Sequence, residues 1–335
     1  MGKVRMPPSS QTRECKYSLV MPIHNAGSYL PQALAPLTSL DDLWELVLVD
    51  DGSSDQSARI VTELLPSARL VRLDRPHGPA FARNKGAETS RGEILIFVDS
   101  DVETSKAALD RIVAQLEAGD STDGVFGSYD AEPRCPAPVS KFRNLLHHYV
   151  HSRCPGPVPS FWAGFGAIRK QAFLSVGGFD HTQFARPSVE DVEMGFRLWR
   201  AGFEVRLQPE IQVKHLKSWS LGNFLRTDIF QRARPWTKLI LDSQGLANNL
   251  NLSPELRRPP FLLFLFMLST LASFLPGWSN AALLCLYLLA NWRVYAFMGR
   301  HGLGLRSVPL LALHHIGAGV GALFGLLDWV GDRLK

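Results

Sequence analysis

The residues best suited to chemistry are acidic pairs that follow strongly apolar runs. Asp99, Ser100 and Asp101 come directly after EILIFV, and Asp50 and Asp51 come directly after LWELVLV. Carboxylates at alternate positions of a strand end can face one point, and Mg²⁺ and Mn²⁺ prefer oxygen ligands. Either pair alone is also compatible with a solvated turn or a helix cap. Two such pairs at equivalent strand ends favour a site for a divalent cation and a diphosphate.

A third acidic pair lies at the start of a helix-like stretch. Glu190 and Asp191 belong to SVEDVEMGFRLWRAGF, in which apolar residues recur at helical spacing. Stabilisation of the helix N-terminus by these acids is the structural alternative. The chemical interpretation is a general base held where an acceptor hydroxyl approaches. Gly164 and Gly166 in WAGFGA would let an acceptor approach the backbone, and His215, at the end of EIQVKH, would complete a metal shell.

The elements that must position these residues alternate between strands and helices. Apolar runs at residues 17–22, 43–49, 68–73 and 93–98 predict strands, and the stretches between them have helical character. This alternation predicts an α/β domain with a parallel sheet and helices on both faces. Ligands of such sheets bind beyond the carboxyl ends of the strands, where both acidic turns lie. The chain contains neither GxGxxG nor GxxxxGK[ST], so a dinucleotide fold or a P-loop has no motif support.

The composition excludes several classes of protein. The 335 residues are 46% hydrophobic and 20% charged, which excludes a disordered, collagen-like or coiled-coil chain. The net charge of +5 is concentrated beside apolar segments, so we expect a membrane and no nucleic acid as partner. The four cysteines form no CxxC pair and are interpreted as reduced thiols.

The C-terminal region predicts a membrane domain. Residues 261–292 contain no charged side chain and no histidine, a run too long for one tilted helix. We predict transmembrane helices at 259–275 and 280–297, and a third, diluted by histidines and glycines, at 308–330. Basic residues flanking the first two spans predict that the domain of residues 17–215 faces the cytosol at the inner (plasma) membrane, in a multi-pass arrangement. A buried helical subdomain is the alternative.

Five ordered blocks resemble family 2 glycosyltransferases of the GT-A fold. They read LVMPIHNAGSYL, ELVLVDDGSSD, GPAFARNKGAETSRGEILIFVDSDV, FWAGFGAIRKQAFLSVGGFD and VEDVEMGFRLWRAG. The resemblance implies a nucleotide-sugar-binding domain with a mostly parallel central sheet. It also implies inverting transfer from a nucleotide-sugar donor, with Mg²⁺ or Mn²⁺ as cofactor. In the family pattern Asp99 and Asp101 hold the metal and the diphosphate.

On the donor side, the resemblance implies contacts in the first three blocks. Pro22 and Asn25 would line the nucleotide cleft, and Asp51 would contact the base. Arg83 and Asn84 would belong to the donor pocket. The other residues of the two acidic turns complete the predicted donor-binding set, namely Asp50, Asp99 and Ser100.

On the acceptor side, the resemblance implies that Asp191 is the catalytic base and that Glu190 orients the acceptor or the base. Processive members of the family carry QxxRW beside the acceptor channel. Gln231, Arg234 and Trp236 match this motif, except that a proline precedes the tryptophan. This mismatch argues against polymer synthesis.

Residues 216–258 mix apolar, aromatic and basic side chains. Such a segment suits a helix in the headgroup region, where arginine meets a lipid phosphate, or else a charged surface helix. We predict four parts: a polar tail (1–16), the GT-A domain (17–215), this interfacial segment, and a membrane domain (259–335).

The predicted function is transfer of a sugar to a lipid, polyprenyl-phosphate or lipid-linked acceptor. The alternatives are a processive polysaccharide synthase, a catalytically silent membrane-bound sugar-nucleotide-binding module, and a nucleotidyltransferase. Pocket shape, rather than these motifs, decides the sugar, the nucleotide and the acceptor.

Overall fold

The computed structural model describes residues 15–118, 121–242, 254–272 and 277–334, and its strands belong to one sheet. In chain order the strands are β1 (Tyr17–Ile23), β2 (Trp44–Asp50), β3 (Arg69–Arg72), β4 (Ile94–Val98), β5 (Val102–Glu103), β6 (Thr122–Tyr129), β7 (Gly156–Pro157), β8 (Phe165–Arg169) and β9 (Glu204–His215). Their order across the sheet is β3-β2-β1-β4-β8-β6-β9-β5, with β7 beside β9. Most of the predicted polar tail, residues 1–14, lies outside the described residues.

The sheet is mostly parallel. Strands β1 to β4, β6 and β9 run in one direction, whereas β5, β7 and β8 run in the opposite direction. Strand β8 lies between β4 and β6 and is antiparallel to both. The predicted α/β class and the four predicted N-terminal strands are confirmed.

Helices cover both faces of this sheet. The described α-helices are α1 (Leu30–Leu34), α2 (Ser57–Leu64), α3 (Pro79–Thr89), α4 (Lys106–Glu117), α5 (Pro138–Ser152), α6 (Lys170–Ser175), α7 (Glu190–Arg200), α8 (Leu221–Arg226), α9 (Arg234–Asp242), α10 (Pro254–Ala272), α11 (Gly277–Ala290), α12 (Trp292–Arg300) and α13 (Ser307–Arg333). A π-helix, Thr227–Ala233, joins α8 to α9. Successive residues of β1 enter different cores, Val20 on the face of α3 and α5, Leu19 and Met21 on the face of α1 and α4. Because both faces are buried, the strands read as continuous apolar runs.

The C-terminal helix α13 lies alongside the π-helix and α9. Gly317, Gly321 and Gly325 recur at every fourth position of α13 and face these two elements. A Cβ atom at Gly321 would lie 2.5 Å from the carbonyl oxygen of Ile229. Only glycine allows the two backbones to approach this closely.

Ion pairs join α9 to the C-terminal part of α13. Arg234 donates to both carboxylate oxygens of Asp328, at 2.6 and 2.9 Å. One turn further along, Lys238 pairs with Asp332. The side chain of Arg234, predicted from the QxxRW motif to lie on the acceptor side, is therefore bound to α13. Residues 243–253 of the predicted interfacial segment lie outside the described residues.

Replacing Gly321 with alanine should loosen the contact between α13 and the π-helix. The added methyl would overlap Ile229 and Ala233, and overpacking of this kind typically costs about 1–3 kcal/mol. Thermal unfolding of the full chain in detergent measures the loss. The matched control is Gly319→Ala, because a Cβ atom there meets nothing within 4 Å. Equal unfolding midpoints for the two variants would contradict the packing described here.

Of the described helices, one is long and apolar enough to cross a membrane unbroken, Gly304–Arg333. It contains the predicted span 308–330, which of the three predicted spans is the one diluted by histidines and glycines. The predicted span 259–275 corresponds to a shorter apolar helix, Arg258–Leu271, and residues 273–276 lie outside the described residues. By length and composition the described helices therefore supply one span, or two if α11 and α12 together form one.

The predicted span 280–297 is not one straight helix. The segments Ser279–Ala290 and Trp292–Arg300 meet at an angle of 54°. At the junction, the Asn291 side chain is buried and its Nδ2 donates to the Tyr287 carbonyl oxygen at 2.9 Å. Asparagine competes in this way with the backbone hydrogen bonds of a helix, which gives a local reason for the bend.

Candidate active site

Asp99 and Asp101 lie on the turn between β4 and β5, and backbone hydrogen bonds fix this turn to two other strands. The Asp99 N–H donates to the Gly164 carbonyl at 3.2 Å, and the Asp101 carbonyl accepts from the Leu216 N–H at 2.8 Å. Both carboxylates are only partly exposed. Burial raises the pKa of each, and the charge of Asp101 adds to the effect on Asp99. A cation at this turn would relieve that destabilisation of the charged forms.

The surroundings of Asp101 include a buried imidazole. His215 Nε2 lies 3.9 Å from Asp101 Oδ2, and Lys217 Nζ lies 3.8 Å from the same oxygen. Burial lowers the pKa of His215 to about 3, so its ring is neutral near pH 7 and is chemically suited to bind a metal. Within the described ranges, however, no three histidine, cysteine or acidic side chains are assembled as a metal site. The predicted ligand His215 lies beside Asp101 but not in a formed coordination shell.

Arg83 connects the turn after β4 to the start of α7. Its Nη2 donates to Asp99 Oδ1 at 2.6 Å, and its Nη1 donates to Glu190 Oε1 at 2.9 Å. The side chain is buried, and its guanidinium lies 5.5 Å from the centre of the Phe179 ring. Burial opposes the charge of Arg83, but Asp99 and Glu190 outweigh it and raise the pKa. This arginine therefore brings two acidic pairs, distant in sequence, to one site.

Replacing Arg83 with methionine should destabilise the fold strongly. The change leaves Glu190, which is only 5% exposed, without its positive partner. Breaking a buried ion pair by removing one member typically costs about 3–5 kcal/mol. Urea unfolding of the purified chain measures this loss. The control is Arg59→Met on α2, whose ion pair with Glu63 is exposed and should contribute little. A free energy of unfolding equal to that of the control would contradict the bridging role.

The two acids at the start of α7 differ in burial and in the partners of their carboxylates. Both oxygens of Glu190 are occupied, one by Arg83 and the other by the Ser188 N–H at 2.9 Å. Asp191 is half-buried, and backbone N–H groups donate to both its oxygens, Ala163 to Oδ2 at 3.1 Å and Val192 to Oδ1 at 2.9 Å. Burial and the neighbouring charge of Glu190 raise the pKa of Asp191 to about 7. Asp191 is thus the acid that combines an accessible side chain with a pKa suited to proton transfer near neutral pH.

Gly164 and Gly166 are explained by packing. A Cβ atom at Gly164 would lie 2.5 Å from the Trp162 indole, and one at Gly166 would lie 2.6 Å from the Phe161 ring. Larger residues would displace the loop that donates a hydrogen bond to Asp191. The acceptor-side role of these glycines stays a prediction.

The acids after β2 hold neighbouring loops. Asp51 accepts from the backbone N–H groups of His77 at 2.7 Å and Gly78 at 2.8 Å. Asp50 accepts from the Ser53 N–H at 3.0 Å. The carboxylate of Asp51 therefore fixes the start of α3, the helix that carries Arg83.

The remaining predicted donor-side residues lie around the same edge of the sheet. Asn25 has a positive φ of 50°, and its Oδ1 accepts from the Ser54 N–H at 2.9 Å. Asn84 Nδ2 donates to the Phe179 carbonyl oxygen at 2.7 Å, and Asn84 Oδ1 accepts from the Phe179 N–H at 2.9 Å. Pro22 lies in β1 beyond the part that pairs with β4, and Ser100 is half-buried between the two aspartates. Their predicted contacts with a nucleotide sugar stay predictions.

Two other QxxRW residues also have contacts within the chain. The Gln231 side chain accepts from the Thr227 hydroxyl at 3.1 Å. Trp236 packs against a small apolar cluster that contains Phe184 and Leu239. The acceptor-side roles of Gln231, Arg234 and Trp236 stay predictions.

The sequence interpretation missed an aromatic cluster between the acidic turn and α5. Tyr129 stacks on His215 with ring centroids 4.3 Å apart, and contacts His147 at 4.5 Å. Trp162 contacts His147 at 4.7 Å and Tyr129 at 4.8 Å. The four-residue spacing of Arg143, His147 and His151 is a visible helical pattern that could have indicated one wall of this cluster.

The chain matches two glycosyltransferase family models and is similar to known glycosyltransferases. The family model described as Glycosyl transferase family 2 matches residues 18–177, and the one described as Glycosyl transferase family group 2 matches residues 138–315. An uncharacterized glycosyltransferase of Haemophilus influenzae is 39% identical over 90 residues, which are 25% of this chain and 35% of that protein.

An undecaprenyl-phosphate 4-deoxy-4-formamido-L-arabinose transferase of Salmonella choleraesuis is 30% identical over 139 residues, which are 39% of this chain and 42% of that protein. The chain thus matches less than half the length of these two curated relatives.

Solved structures with low sequence identity have a similar fold. The mannosyltransferase PcManGT from Pyrobaculum calidifontis, in complex with GDP-Man and Mn²⁺, has a TM-score of 0.63 at 19% identity and covers 93% of this chain and 88% of that one. TarS 1–349 of S. aureus, in complex with UDP-GlcNAc, has a TM-score of 0.51 at 15% identity and covers 95% and 92%.

Proposed function

The chain belongs to glycosyl transferase family 2 and has the GT-A fold, and from this premise we propose that it is an inverting, metal-dependent transferase. It moves a sugar from a nucleotide-sugar donor to a lipid-linked or polyprenyl-phosphate acceptor. The observation that carries the proposal is the Arg83 bridge between Asp99 and Glu190. The bridge ties the acidic turn to the start of α7, which carries Asp191, and this supports a single site for donor and acceptor.

On the donor side, Asp99 and Asp101 would hold Mg²⁺ or Mn²⁺, with His215 as a third protein ligand. The fit is supported by two partly buried carboxylates and a neutral imidazole within 4 Å of one of them. A bound cation supplies positive charge that offsets the charge developing on the leaving diphosphate. PcManGT, a neighbour in fold, is described in complex with GDP-Man and Mn²⁺.

On the acceptor side, Asp191 accepts the proton of an attacking hydroxyl. Glu190 is occupied by Arg83 and Ser188, so its part is to hold the start of α7 rather than to exchange protons. The pKa of Asp191 lies near the working pH, which suits a group that accepts a proton during the reaction. A phosphate acceptor that is already ionised would need less help from Asp191.

A membrane acceptor is supported by the surface of the C-terminal helices. Large apolar side chains on α10, α11 and α13 are exposed, among them Phe261, Leu271, Leu289 and Leu327. Contiguous apolar surface of this kind marks an interaction site, and a bilayer covers it without a protein partner. The name of the Salmonella relative specifies undecaprenyl phosphate. We place the protein at the inner (plasma) membrane with its GT-A domain on the cytosolic side.

The proposed function is tested by a screen of radiolabelled nucleotide sugars. The purified chain in native lipid is incubated with each donor and Mn²⁺, and the label in the organic phase is counted. We expect one donor to label a lipid product with a single sugar per acceptor. A ladder of products would favour the processive alternative, and donor binding without any transfer would favour the silent module.

A further inference from the structure

Two stripes of polar side chains face each other between α5 and the π-helix. On α5, Arg143 and His147 are four residues apart and share a face, as do Asp228 and Arg232 on the π-helix. Arg143 forms a buried ion pair with Asp228, which joins the first members of the two stripes. The next members along the stripes are His147 and Arg232. Burial, with a contribution from the charge of Arg232, holds the pKa of His147 well below its usual range, in agreement with this proximity.

The stripe on α5 is connected to the loop that binds Asp191. His147 contacts Trp162 with ring centroids 4.7 Å apart. The next residue, Ala163, donates its N–H to Asp191. A short chain of contacts therefore leads from Asp191 to His147.

Several polar atoms of this region lack partners in the part of the chain that the structure describes. Arg143 Nη2 and His147 Nδ1 are buried and form no hydrogen bond. Arg232 is exposed, and no other described residue forms an ion pair with it. Buried polar groups normally have partners, so this grouping indicates a ligand rich in acceptor oxygens.

The charges of the region favour an anion. Arg143 and Arg232 carry two positive charges, and Asp228 neutralises only one of them. The like charges of Arg143 and Arg232 repel each other across the two stripes. An anion between the two guanidinium groups would relieve this repulsion, and planar arginine forks match phosphate oxygens well.

The acidic turn on the donor side already has positively charged side chains as partners. Asp99 is bound by Arg83, and Lys217 lies 3.8 Å from Asp101. The loop that holds Asp191, the predicted base, instead borders His147, because Trp162 contacts His147 and Ala163 donates to Asp191. A phosphate beside His147 therefore belongs on the acceptor side of the site.

We propose that Arg232, Arg143 and His147 form a phosphate-binding subsite for the phosphate group of a polyprenyl-type acceptor. This inference rests on the proposed function and names three residues that recognise its acceptor. Asp228 is a positioning residue, because it binds Arg143 through one oxygen and His314 of α13 through the other, at 2.7 Å. The C-terminal helix thus holds the subsite in place.

The test measures binding of a short polyprenyl monophosphate and of the matching polyprenol to the full chain in detergent micelles by titration calorimetry. We expect the parent to bind the monophosphate more tightly than the alcohol. Arg232→Gln should weaken monophosphate binding roughly 10- to 100-fold, the effect of losing a charge-assisted hydrogen bond. Arg232→Lys should be intermediate, because it keeps the charge and loses the planar fork.

The control variant is Arg226→Gln, an exposed arginine of the neighbouring α8, which should bind the monophosphate like the parent. Each protein is also titrated with GDP and UDP in the presence of Mn²⁺. If Arg232→Gln lowers nucleotide affinity and spares the monophosphate, the subsite serves the donor and the proposal is overturned. If the parent binds the monophosphate and Arg232→Gln binds it equally well, only the subsite fails. If the parent binds nucleotide but no monophosphate, the proposed acceptor class fails with it.

Discussion

Replacing Asp191 with asparagine is expected to lower turnover with a hydroxyl acceptor roughly 10²- to 10⁴-fold, the usual contribution of a general base. The amide keeps the size of the side chain and still accepts the hydrogen bond from Ala163, so donor affinity should change little. Single-turnover kinetics with pre-bound donor separate chemistry from binding. The control is Glu193→Gln, an acid of the same helical turn that pairs with Arg197 instead.

The same residue predicts the pH dependence of the parent enzyme. Burial and Glu190 raise the pKa of Asp191 to about 7. A base acts in its deprotonated form, so turnover should rise as the pH increases through this value and should be lower at more acidic pH. Asp191→Asn should lose this inflection. A variant that transfers sugar at nearly the parental rate would exclude Asp191 as an essential base and favour an ionised phosphate nucleophile.

Replacing Asp101 with alanine is expected to abolish metal-dependent binding of a nucleoside diphosphate. The carboxylate is partly exposed, and burial raises its pKa, so its removal should leave the unfolding midpoint nearly unchanged or higher. Calorimetry with GDP or UDP, with and without Mn²⁺, measures the effect. Chelation of the metal should cause the same loss in the parent.

The matched control for this change is Asp110→Ala on α4. Asp110 is exposed and pairs with Lys106 one turn earlier on the same helix, so this variant should bind nucleotide as tightly as the parent does. Undiminished Mn²⁺-dependent binding by the Asp101 variant would remove this aspartate from the proposed metal site.

Local patterns in the sequence were sufficient to predict the class of fold and the edge of the sheet at which the acids meet. Strands β1, β2 and β4 are buried on both faces, and such strands need continuous apolar runs whatever lies around them. The acids of the turns after β2 and β4 follow these runs directly, so the topology alone brings them to one edge. The order of the five blocks was sufficient to identify the family, because the order of blocks along the chain does not depend on any side-chain contact.

The partners of the charged side chains were decided only by the tertiary structure. Sequence motifs treated Glu190 and Asp191 as a pair, but the buried Arg83 pairs with Glu190, whereas Asp191 is held by backbone N–H groups and has a pKa of about 7. Arg234 matched a motif, yet Asp328 of α13 binds it. Long flexible side chains reach partners many residues away. Their contacts therefore depend on how distant helices pack, which neither periodicity nor spacing specifies.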